Sequence, residues 1–148
     1  MDMLPDVTVI APDGGALRLK DRPLPMVVYF YPKDDTAGCT REAQDFSALA
    51  AEFTAAGVSV LGISRDGPAK HQKFIAKYDL AVALASDEDG SACEAFGTWV
   101  EKSMYGRTYM GIERSTFLFD REGRLAREWR KVKVPGHAAA VLEAARAL

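Results

Sequence analysis

Met26-Val27-Val28-Tyr29-Phe30-Tyr31, closed by Pro32, sets the centre of the fold. It is apolar without alternation, the pattern of a strand covered on both faces, and Pro32, with no N–H to give to a ladder, stops it. Downstream, Ala43, Phe46, Leu49, Ala50 and Phe53 recur at spacings of three and four and Gly57 offers a C-terminal stop. That pattern predicts one amphipathic helix over 37–56. Val58 to Ile63 repeats the buried-strand pattern, and Asp66-Gly67-Pro68 can cap and start a second helix carrying Phe74, Ile75 and Tyr78. A β-α-β-α order of this kind implies parallel strands beginning at a central one.

Upstream, Val7 to Ile10 and Ala16 to Leu19 flank Pro12-Asp13-Gly14-Gly15, whose glycines supply the positive φ of a tight hairpin. Further along, Val82 to Ala85 reads as a short strand and Asp87 as the cap of a short helix reaching Phe96. Thr116 to Phe119 and Leu125 to Trp129 read as two strands joined around Asp120-Arg121-Glu122-Gly123. A last helix, Gly136 to Leu148, puts Val141, Leu142, Ala145 and Leu148 on one face. Trp99 to Gly111, with Tyr105, Tyr109 and Met110, is too irregular for a helix and reads either as the mouth of a pocket or as a packed surface loop. The expected architecture is one α/β domain over 1–148: a central mixed sheet, helices on both faces and an N-terminal β-hairpin. A thioredoxin-like fold is one such arrangement.

Composition narrows the function. The chain has 148 residues, 48% hydrophobic and 27% charged, as an ordinary globular core requires. Nineteen basic against twenty-one acidic residues leave a formal charge of -2, so no field recruits nucleic acid or an anionic membrane. No apolar run is long enough to span a bilayer, and Met1-Asp2-Met3-Leu4-Pro5 lacks the features of a signal peptide, so a cytoplasmic address is expected. His71 and His137 show no ligand spacing with each other or with the cysteines, and Gly14-Gly15 is not followed by the Gly-Lys-Ser/Thr of a phosphate loop. Neither a metal nor another cofactor is expected.

Cys39 and Cys93 are the only cysteines, too few for a disulfide framework. Cys39 lies where the central strand gives way to a helix, and unpaired N–H groups at a helix start favour negative charge. Seven residues before Phe46, it falls on the inward helix face, sheltered from solvent. With Thr36 as N-cap, Cys39 is the third helical residue, and its thiol is expected to face the threonine hydroxyl as in a capping box. A thiolate nucleophile with donors around it suits attack on a peroxide. Read singly, Cys39 could be an inert buried thiol, Thr36 an N-cap and Pro32 a strand terminator; their joint spacing favours chemistry.

Tyr29-Phe30-Tyr31-Pro32-Lys33-Asp34-Asp35-Thr36-Ala37-Gly38-Cys39-Thr40 resembles the peroxidatic motif of the bacterioferritin-comigratory, or peroxiredoxin Q, subfamily of peroxiredoxins. The likeness extends through Val60-Leu61-Gly62-Ile63-Ser64, Ser86-Asp87-Glu88 and Phe96-Gly97 to Gly111-Ile112-Glu113-Arg114-Ser115-Thr116-Phe117-Leu118. The resemblance implies a thioredoxin-like fold and a peroxidase for hydrogen peroxide and organic hydroperoxides, serving antioxidant defence. It implies that Cys39 attacks, Thr36 orients the peroxide, Pro32 shields the sulfur and Arg114 steadies thiolate and transition state. Glu42 stands where related proteins carry an acidic residue that orients the arginine. Without the resemblance, Arg114 would read as one surface arginine among many.

Two positions depart from the subfamily pattern. Ala37 replaces a common proline, which loosens the first helical turn without removing a reacting group. Gln44 stands where many members carry the thiol that resolves the oxidised cysteine. A Cys39 sulfenic acid would then need another thiol: Cys93, a second chain, or an external reductant such as thioredoxin, glutaredoxin or glutathione. Cys93, beside Ala92 and Phe96, reads as core packing, so a one-cysteine mechanism in a monomer or weak homodimer is expected. A thiol-disulfide oxidoreductase would need two close cysteines, and Thr36 stands where the first would be. A redox sensor passing oxidation from Cys39 to a partner remains the non-enzymatic alternative.

Overall fold

The computed structural model covers residues 1–148. Its elements run β1 (Thr8–Ile10), β2 (Ala16–Arg18), a 3₁₀ turn (Leu19–Asp21), β3 (Met26–Phe30), α1 (Ala37–Ala48), α2 (Ala50–Ala55), β4 (Ser59–Ser64) and α3 (Pro68–Tyr78). The second half holds β5 (Ala83–Ser86), α4 (Ser91–Ala95), β6 (Trp99–Met104), β7 (Arg107–Ile112), β8 (Ser115–Phe119), β9 (Leu125–Trp129) and α5 (His137–Arg146). Seven strands form one mixed sheet in the order β2-β1-β5-β4-β3-β8-β9. β3 pairs parallel with β4 and antiparallel with β8, which makes it the hub expected of an apolar strand without alternation.

Both faces of β3 are covered. Val27, Tyr29 and Tyr31 join Cys39, Ala43 and Phe46 of α1, Phe53 of α2, Phe74 of α3 and Val141 and Leu142 of α5 in one cluster. Met26, Val28 and Phe30 join Ala92 and Cys93 of α4, Phe96, Phe117 and the N-terminal Leu4, Val9 and Leu19 in the other. The two cysteines therefore lie on opposite faces of the sheet. Tyr29 stacks on Phe46 with ring centroids 4.6 Å apart. Its ring crosses Gly62, its register partner on β4, where a Cβ would stand 2.5 Å from Tyr29 Cζ. Glycine is thus a steric requirement of this crossing, not a turn signal.

Two expectations need correction. The helix over 37–56 is two helices, because Leu49 tightens the chain by accepting the i−3 pattern, its N–H donating to Phe46 O at 3.2 Å before the ladder restarts with Phe53 N–H to Leu49 O. The segment Trp99 to Gly111 is neither helix nor loop but the β6–β7 ribbon, turned through Tyr105 and Gly106 at positive φ and paired with no other strand. Only its base, the Trp99–Ile112 pair, packs on the core, so it shows no clear alternation. Asp87 caps α4 from outside: Gly90 holds the N-cap position, while the Asp87 carboxylate accepts from Ala92 N–H and Cys93 N–H.

Candidate active site

β3 ends at the mouth of the site and α1 begins there, joined by Tyr31 to Thr36. This connection is held on three sides. Tyr31 Oη donates to Asp34 Oδ1 at 2.6 Å, and Asp34 Oδ2 lies 2.6 Å from His71 Nδ1 of α3. His71 Nε2 faces the Ala85 carbonyl at 3.0 Å; a carbonyl can only accept, so Nε2 carries a hydrogen. Asp34 N–H donates to Asp66 Oδ2, and Asp35, at φ 60, receives Lys77 Nζ at 2.8 Å. The sequence reading gave His71 no part in this; its place on the inward face of α3, three residues before Phe74, was the available signal.

Thr36 is the N-cap of α1 by backbone, with its carbonyl accepting from Thr40 N–H at 2.8 Å. Its hydroxyl does not face Cys39 as a capping box would require, but donates to Lys33 O at 2.9 Å. The connection curls back under the helix start, so a backbone carbonyl takes the hydroxyl hydrogen. Cys39 sits in the first turn, 2% exposed, and its partner comes from the start of β8, beside the end of β3. Arg114, between β7 and β8, brings Nη2 to 3.2 Å from Cys39 Sγ and Nη1 to 2.6 Å from Glu42 Oε1.

Glu42 is one turn on from Cys39 and 1% exposed. Burial pushes its carboxyl up to about 7, against the pull of Arg114. Burial alone would lower Arg114, but the charges of and hydrogen bonds to Glu42 and Cys39 carry it above the ordinary arginine value. Three groups that the sequence separated by as many as 75 positions thus form one contact chain, Cys39–Arg114–Glu42. Pro32 lines a cleft of about 530 Å³ with Lys33, Trp99, Lys102, Met110 and Ile112. A neighbouring cleft of about 360 Å³ is lined by Lys102, Glu113, Arg114 and Lys131. Of the three ribbon residues for which pocket mouth and surface loop were both open, Tyr109 and Met110 line this first cleft beside Lys102, while Tyr105 stands exposed at the ribbon's tip.

Cys93 is fully buried, and burial with the neighbouring Asp87 pushes its thiol up to about 12. Both cysteines are free. No group of three or more histidine, cysteine or acidic side chains is arranged to hold a metal. No helix is long and apolar enough to cross a membrane. A cleft of about 700 Å³ lies elsewhere, lined by Pro25, Asp120, Arg121 and Leu148 among others, and contains no cysteine.

A family model described as AhpC/TSA matches residues 1–128. Peroxiredoxin Bcp of Xanthomonas campestris is 54% identical over 122 residues, 82% of this chain and 76% of that one. Peroxiredoxin Bcp of Bacillus subtilis is 45% identical over 140 residues, 94% of this chain and 89% of that one. Among solved structures, the Xanthomonas campestris bacterioferritin comigratory protein, studied for its alkyl peroxide reduction activity, superposes with a TM-score of 0.91 at 44% identity, covering 99% of this chain and 98% of that one. The fold is accordingly thioredoxin-like, and the chain belongs to the AhpC/TSA family, among the Bcp peroxiredoxins.

Proposed function

We propose that this protein is a thiol-dependent peroxidase in which Cys39 is the attacking group. The observation that carries the reading is the 3.2 Å contact between Arg114 Nη2 and Cys39 Sγ, with Glu42 fixing the other arm of the guanidinium. A planar, permanently charged donor fork stabilises a thiolate and then the negative charge that develops on the peroxide oxygens. Attack forms an S–O bond to the terminal oxygen, breaks the O–O bond, and leaves Cys39 as sulfenic acid and the remainder as water or an alcohol. Thr36 has its hydroxyl hydrogen committed to Lys33 O, so toward a substrate its oxygen can only accept. It would receive the O–H of the hydroperoxide and present the terminal oxygen to sulfur. Pro32, on the cleft wall, limits access of water to the sulfur.

Recycling is proposed to use an external thiol: thioredoxin, glutaredoxin or glutathione. Supporting this, Gln44 brings no thiol to α1, and Cys93 is separated from Cys39 by the sheet. A disulfide needs Cα atoms within roughly 7 Å, which opposite faces of a sheet do not offer without dismantling it. The same separation weighs against a thiol-disulfide oxidoreductase. The protein would act on hydrogen peroxide and organic hydroperoxides in the cytoplasm, as a monomer or weak homodimer. The test is turnover of each peroxide with each reductant in turn, in the parent and in Cys39→Ser; activity persisting in Cys39→Ser contradicts the assignment.

A further inference from the structure

Lys102 belongs to the ribbon that sequence reading did not resolve, and it lines both clefts at the mouth: with Pro32 on one side, with Arg114 on the other. Its side chain is half-buried and makes no ion pair or hydrogen bond within the chain. Its path is built. Gly111 pairs with Val100 across the ribbon, so Lys102 is its diagonal neighbour on the same face, and the lysine stem lies over the glycine. A Cβ at position 111 would stand 3.3 Å from Lys102 Cδ and 3.6 Å from Cε. Gly111 thereby leaves room for the stem to cross the ribbon on its way to the two clefts.

We propose that Lys102 is a catalytic proton donor to the oxygen that departs when Cys39 attacks a hydroperoxide. This rests on the peroxidase reading above and adds to it the group that Arg114 cannot supply, since a guanidinium is not deprotonated in proteins. The sulfur electron pair forms the S–O bond, the O–O bond breaks, and the departing RO⁻ takes a proton from Lys102 Nζ to leave as ROH. Sulfur is oxidised by two electrons, the peroxide is reduced by two, and the neutral amine regains its proton from water through the open cleft. The electrostatics suit a donor: burial and the neighbouring Arg114 lower the proton affinity of Lys102 below that of an ordinary lysine, against the pull of Cys39 and Glu113.

The test compares Cys39 sulfenylation rates in the parent, Lys102→Met and Lys102→Arg, using hydrogen peroxide, whose leaving hydroxide needs a proton, and peracetic acid, whose leaving carboxylate does not. Lys102→Met should slow the hydrogen peroxide reaction on the order of a hundredfold and the peracetic acid reaction by less than about threefold. Lys102→Arg should be as slow as Lys102→Met, because it keeps the charge and cannot release the proton. Equal slowing with both oxidants, no slowing, or parental rates in Lys102→Arg would each overturn the proposal. A parent that reacts with neither oxidant would instead sink the peroxidase reading itself.

Discussion

Arg114 Nη2 lies 3.2 Å from Cys39 Sγ, while Nη1 of the same side chain lies 2.6 Å from Glu42 Oε1. One planar group thus couples the sulfur of α1 to a carboxylate one turn along the same helix. Because lysine offers a point charge and cannot make both contacts, Arg114→Lys should lower the second-order rate constant with hydrogen peroxide by on the order of a hundredfold or more. Stopped-flow fluorescence under pseudo-first-order peroxide measures this directly. A loss of less than about tenfold would mean that charge alone, without the fork, does the work.

Glu42 predicts a pH signature in stability. Its carboxyl is raised from 4.5 to about 7 by burial, so between those values the folded chain holds a proton that the unfolded chain has released. The contribution of this group to stability therefore falls as pH rises through that window, by on the order of 3 kcal/mol. His137 acts in the opposite direction: burial, with Arg114, lowers it to about 4, so its contribution is lost as pH falls below the ordinary histidine range. Comparing parent with Glu42→Gln by urea unfolding near pH 5 and near pH 8 isolates the first term. The variant should gain on the parent at the higher pH; parallel curves would contradict the assignment.

Cys93 should be silent toward peroxide. It is fully buried on the face of the sheet opposite Cys39, and its raised thiol keeps it protonated. Cys93→Ala should leave the yield of Cys39 sulfenic acid within about twofold of the parent, while any loss in thermal midpoint reflects a small core cavity. Mass spectrometry after iodoacetamide on the native protein should find Cys93 unmodified. Rapid labelling of Cys93 would show that its side of the core opens.

Gly62 should tolerate no side chain. A Cβ there would meet the Tyr29 ring at 2.5 Å, and Tyr29 is itself locked between Gly62 and Phe46 behind the cysteine. Gly62→Ala should cost about 1–3 kcal/mol by overpacking, measured by urea unfolding. A neutral outcome would mean that the β3–β4 crossing has slack.

Much of this was readable from Met26 to Cys39. An apolar strand without alternation, a proline stop and a helix with inward residues at three and four placed the central strand and the sulfur, because burial on two faces and on one stripe leave different periodicities. The β6–β7 ribbon was not readable from periodicity, since only its base, Trp99 and Ile112, meets the core; its signal was local, Tyr105-Gly106 between stretches of equal length. The partnership of Arg114 with Cys39 depends on β8 lying beside β3, a tertiary fact that only the family resemblance foretold. The Asp34–His71 tie escaped for the same reason, as did the hydroxyl of Thr36, whose partner was decided by the curl of a loop.

Intact mass shows whether Cys39 alone attacks peroxide and awaits an outside thiol. The reduced protein is given one equivalent of hydrogen peroxide with a sulfenic-acid trap, beside Cys39→Ser and Cys93→Ser. A single trap adduct in the parent and in Cys93→Ser, absent in Cys39→Ser, is the predicted result. Loss of two hydrogens that depends on Cys93 would make Cys93 the resolving thiol, and an unreacted Cys39 would rule it out as the nucleophile.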